Sequence, residues 1–64
     1  MTYQEKNVIP MNRYAELFRY LYHEKLITEY TMFYPDKTVS FTYEGDFEKI
    51  HKMALKKFQI NLIK

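Results

Sequence analysis

Sixty-four residues with no cysteine and a formal net charge of +2 exclude a good deal before any pattern is read. A chain of this length buries only about 60% of its unfolded surface, so residues 1–64 are expected to form one small, marginally stable domain; with disulfides and cysteine-based metal frameworks removed, self-association is the remaining support. The charge is too small to imply nucleic-acid binding by itself, and eight acidic residues against ten basic ones cannot build the dense acidic surface of a DNA mimic.

Residues 1–9, MTYQEKNVI, show no sustained period and read as a loose N-terminal arm, with Val8 and Ile9 available to dock onto a core. The first ten residues lack the apolar centre of a secretory signal, and no apolar run is long enough to span a membrane; a cytoplasmic protein without membrane association is expected. From Pro10 the period changes. Met11, Tyr14, Ala15, Leu17, Phe18, Leu21 and Tyr22 share one helical face, and Asn12, Arg13, Glu16, Arg19, His23 and Glu24 share the other. The spacing predicts a helix over 11–25, with Pro10 in its first turn and Asn12 as an alternative cap. Tyr20 falls on its polar side.

The segment LITEYTMFY is rich in β-branched and aromatic residues, and TVSFTYE alternates without error after Pro35-Asp36-Lys37. A hairpin is predicted, with a four-residue loop over Pro35–Thr38 and Pro35 second in a type I turn that starts at Tyr34. That register sets Tyr34 opposite Val39, Met32 opposite Phe41 and Tyr30 opposite Tyr43 on one inner face. Thr31 then faces Thr42 on the outer side, and Phe33 lies outside opposite Ser40. Gly45 ends the second strand, and Asp46 caps a helix that begins at Phe47 and runs to about residue 60. The rival ending is a shorter helix to Lys57 followed by a short terminal strand in FQINLI, so residues 58–63 are open between helix and strand. The predicted class is α+β in the order α-β-β-α, an antiparallel hairpin with two amphipathic helices packed on one face.

Little in the chain suits catalysis. Of two histidines, His23 is on a solvent face and His51 sits in an apolar helical arc, while Ser40 lies mid-strand outside any nucleophile motif. Asp36, Glu44 and Asp46 have sufficient roles as turn, strand-end and cap residues. A single glycine cannot form a phosphate loop, and no spacing gathers metal donors. No enzyme, cofactor, metal or catalytic residue is expected.

Two surfaces remain. Lys49, Lys52 and Lys56, with Lys57 to one side, form a basic stripe on the second helix that would suit a small nucleic-acid-binding regulatory protein, although the stripe holds no arginine to read guanine. Tyr20, Phe33, Met53, Ile60 and Ile63 are apolar positions that a helix–hairpin–helix arrangement leaves outside, and a two-stranded sheet has two open edges that invite another strand. The preferred expectation is therefore a protein-binding homodimer that uses Tyr20, Phe33 and Met53, with Arg13 and Glu24 as rim contacts. Phe, Tyr, Met, Ile, Asn and Lys, all with AT-rich codons, make up half the chain, which points to an AT-rich genome. In size and composition the chain resembles small phage or plasmid products, which implies an inhibitor or adaptor acting on a host or defence-system protein.

Overall fold

The unbroken alternation of Thr38, Val39, Ser40, Phe41 and Thr42 becomes the central strand of a three-stranded antiparallel sheet in a computed structural model that describes residues 1–63. In chain order the elements are β1 (Thr2–Glu5), α1 (Met11–His23), β2 (Glu29–Phe33), β3 (Thr38–Thr42) and α2 (Phe47–Phe58), and the sheet order is β1-β3-β2. The small α+β class is as expected; the element order gains a strand. None of the described helices is long and apolar enough to cross a membrane.

That strand corrects the reading of 1–9 as a loose arm. Tyr3 pairs with Phe41 across the β1–β3 ladder, and its ring stacks on Phe41 at 4.9 Å and on Phe47 at 5.9 Å. Four residues with a single inward ring give too short an alternation to be legible, so the pairing is decided by the ring stack and the ladder together. Beyond it Asn7 turns the chain with a φ of 59°, Val8 is buried, and the Val8 N–H donates to the Lys37 carbonyl at 3.1 Å. Ile9 stays exposed.

Pro35 sits second in the hairpin turn as predicted, with the Lys37 N–H donating to the Tyr34 carbonyl at 3.2 Å. The loop is Tyr34–Lys37 instead of Pro35–Thr38, because Lys37 takes the left-handed conformation (φ 53°) that closes such a turn and returns Thr38 to the strand. The pairs are accordingly Tyr30 with Phe41, Thr31 with Ser40, Met32 with Val39 and Phe33 with Thr38. This shift moves β2 by two residues against β3, so the two faces keep their residues while every partner changes.

Both helices meet the sheet on the same side, α1 through Phe18 edge-on to Phe41 at 5.3 Å and α2 through Phe47 stacked on Phe41 at 6.4 Å. Leu17, Leu21, Val39, Ile50 and Ala54 are fully buried around these rings, and Ile27 and Tyr43 join them in the core. Pro10 precedes α1 in extended backbone with no side-chain cap, and Asn12 lies within the helix. The helix stops at His23, short of residue 25, because Lys25 adopts φ 61°. The Leu26 and Lys25 N–H groups donate back to the Leu21 and Tyr22 carbonyls at 3.0 and 3.1 Å, a Schellman ending.

The Asp46 carboxylate accepts the Glu48 N–H at 2.9 Å and caps α2. Asp46→Ala is expected to lower unfolding free energy by about 1 kcal/mol, read as a lower urea midpoint at unchanged slope. Its other end comes earlier than the predicted residue 60. Gln59 turns left-handed (φ 58°), and residues 60–63 form neither helix nor strand. Ile60 and Leu62 are nevertheless buried, while Asn61 and Ile63 face outward. The alternation that suggested a terminal strand belongs to an irregular tail in which every second side chain is buried, and Ile60 belongs inside.

Candidate protein-binding edge

Because β3 takes both partners, β2 is left with one side of its backbone unpaired. Its sequence, EYTMF, contains no lysine, arginine or proline and only one charge, Glu29, so it lacks the usual guards of an edge strand. Four of the eight large apolar residues that remain exposed gather along it: Tyr22 at 52%, Tyr30 at 38%, Phe33 at 52% and Tyr34 at 58% of full exposure. Tyr30 was expected inside. Its ring meets Phe18 at 5.8 Å and Tyr22 at 5.8 Å, both edge-on, but β2 is an edge strand, so among the described residues no further strand flanks its outer side. Tyr34, also expected inside, belongs to the turn and projects past the end of the ladder.

The residues singled out from the sequence do not form one surface. Phe33 shares its side of the sheet with Thr31 and Thr38, opposite the helices. Tyr20 is half-buried in the helical layer, 5.8 Å from the Phe58 ring, with the Lys57 ammonium 5.4 Å above its own ring. Met53 is half-buried against the core. The Arg13 guanidinium donates to the Phe58 carbonyl, where the α2 dipole presents its negative end, so it serves as a cap for that helix. Glu24 is exposed and caps the end of α1. Tyr22, Tyr30 and Tyr34 escaped the sequence reading because each has the period of a core position. The available signal was that Tyr30 and Tyr34 flank a hairpin strand with no predicted neighbour.

On α2, Lys49, Lys52 and Lys56 are exposed on the face opposite Ile50 and Ala54, whereas Lys57 turns toward Tyr20. No group of three or more His, Asp or Glu side chains stands close enough to hold a metal among the described residues. A cleft of about 220 Å³ lies between the start of α1 and the C-terminal tail, lined by Ile9, Pro10, Arg13, Tyr14, Gln59, Ile60 and Asn61. Its one charged side chain, Arg13, is already engaged with Phe58.

Burial, then the neighbouring Glu5 carboxylate and Tyr14, hold the Tyr3 phenol well above the ordinary tyrosine range. A raised folded pKa for a group that loses charge on protonation means the fold keeps Tyr3 neutral while the unfolded chain ionises near ~10. That contribution is complete below pH ~10 and is lost as pH rises toward the folded value. The urea midpoint of the native protein should therefore fall more steeply between about pH 9 and 11 than that of Tyr3→Phe, in which the remaining tyrosines are unchanged.

Compared with protein-family models, curated proteins and solved structures, the chain matches none, so its function is argued from its own residues.

Proposed function

We propose that the protein is a small non-enzymatic protein-binding module that takes an extended segment of a partner protein along β2. The observation that carries this reading is the coincidence of an unguarded strand edge with four half-exposed rings, Tyr22, Tyr30, Phe33 and Tyr34. Main-chain hydrogen bonds along the edge supply affinity, and the rings on its two sides supply selectivity. Ring side chains contribute large contact area at low entropic cost, which is why they dominate binding surfaces. The biological setting we attach, a phage or mobile-element inhibitor or adaptor acting on a host or defence-system protein, rests on size and on an amino-acid composition that favours AT-rich codons, and its cytoplasmic location on the short apolar runs.

The test is selection from a random-peptide display library, followed by amide-shift mapping of the selected peptides. Binders should perturb Glu29–Phe33, and the double substitution F33S/Y34S should weaken them at least tenfold without lowering the melting temperature. Y20S should instead leave binding intact and reduce stability by about 1 kcal/mol, through loss of the Phe58 contact. Peptides that map to the Ile9–Asn61 cleft, or that bind F33S/Y34S as well as the native protein, would sink the proposal.

A second reading keeps one supporting observation, the common exposed face of Lys49, Lys52 and Lys56. Three phosphate contacts would make duplex affinity fall with salt at a logarithmic slope of roughly −3. Under the protein-binding reading, duplex DNA shows no retention even at low salt.

A further inference from the structure

The edge just described has a fitting strand within the chain's own sequence. We infer that β2 pairs antiparallel with β2 of a second copy about a twofold axis at Thr31, joining two three-stranded sheets into one of six; the inference rests on the reading of β2 as the binding edge. Centring on Thr31 is the register that pairs all five residues of the strand. Thr31 then faces Thr31, Tyr30 faces Met32 and Glu29 faces Phe33. Threonine pairs are favourable across strands, and methionine sulfur packs well at a ring edge. The two Glu29 carboxylates stand four residues apart along the ribbon, roughly 13 Å. That exceeds the ~8 Å screening length at physiological salt, so the only charge on the strand raises no obstacle.

The area is adequate for a modest dimer. Four rings, each about half exposed, offer on the order of 400 Å² per copy, or roughly 800 Å² for two. Met32, Thr31 and the two strand backbones bring the total toward ~1,200 Å², the lower end for a specific complex. The other edge is less suited, since β1 has four residues and its one ring, Tyr3, is already stacked on Phe41 and Phe47. A twin and a target segment thus compete for β2, and self-pairing shields an edge that would otherwise invite indiscriminate strand addition.

A chain without cysteine allows a clean single-cysteine scan. Residues facing each other across an antiparallel axis have Cα atoms about 4.5–5.5 Å apart, within disulfide range. Under mild oxidation, Thr31→Cys should cross-link to a dimer at least tenfold faster than Gln4→Cys on the β1 edge or Lys52→Cys on α2. Sedimentation over a hundredfold concentration range should show native dimer dissociating on dilution, and Thr31→Lys should weaken association about fivefold by placing like charges at the axis. A native chain that remains monomeric, a Thr31→Cys rate no greater than that of Lys52→Cys, or a Thr31→Lys dimer of unchanged affinity overturns the inference. Monomeric native protein that still selects peptides at β2 removes the dimer and leaves the binding reading. A β2 dimer whose native chain, diluted until it is monomeric, takes no peptide at Glu29–Phe33 does the reverse.

Discussion

Phe41→Ala is expected to abolish cooperative unfolding at room temperature. Phe41 is 1% exposed and is the ring on which the fold converges, with Tyr3 at 4.9 Å, Phe18 at 5.3 Å, Tyr43 at 5.8 Å and Phe47 at 6.4 Å. Its ring on the central strand thus meets rings from β1 and from both helices. Removing a buried phenyl group costs about 3–5 kcal/mol, from lost transfer energy and the void left behind. A core of this size rarely supplies more than about 3–5 kcal/mol in total. Near-ultraviolet circular dichroism and a thermal scan provide the check. The exposed Phe33→Ala should move the melting temperature by no more than a few degrees, since surface changes usually stay within about 0.5 kcal/mol. A Phe41→Ala protein that melts cooperatively within ~5 °C of the native one contradicts the described core.

Deleting residues 1–5 should be nearly as damaging, although a reading of the sequence makes them dispensable. The deletion removes the four pairs of β1 with β3 and the Tyr43 N–H bond to the Met1 carbonyl at 2.9 Å. It also strips the Tyr3 ring from Phe41 and Phe47. What remains of the sheet is a lone hairpin, and two-stranded hairpins are marginal in water. Loss of amide dispersion in the proton–nitrogen spectrum of the 6–64 chain is the expected result. A well-dispersed spectrum with protected Val39 and Phe41 amides would show that two helices suffice to hold the hairpin. The Tyr3→Ser variant separates the contributions, because it keeps the ladder and loses only the ring; it should fold with reduced stability.

The two helices were legible because their information is local. Leu17, Phe18 and Leu21 recur at helical spacing, and so do Ile50 and Ala54, while Asp46 announces the start of α2 through a bond to its own second neighbour. The turn at Pro35 was legible for the same reason, since ring closure at proline sets the turn without outside help. Register was not. Whether Lys37 or Thr38 closes the loop depends on a left-handed backbone that no side chain at that position demands, and the choice decides whether Phe41 faces Met32 or Tyr30. The candidate site suffered most, because exposure is a property of neighbours. Tyr20 has polar periodicity and is covered by Phe58, whereas Tyr30 and Tyr34 have core periodicity and lie bare at a margin.

By itself the sequence determined two amphipathic helices, one proline-centred hairpin, and a core of rings and aliphatic side chains, since each follows from residues within a few positions of one another. Tertiary structure alone decided that residues 2–5 become a third strand, that Ile60 and Leu62 are drawn inside without regular structure, and that β2 is the strand left at the rim beside four half-bare rings. Those outcomes turn on contacts between segments some 40 positions apart, such as Tyr3 with Phe41. The energy of such contacts depends on what else has already packed, and so no local pattern of residues encodes them.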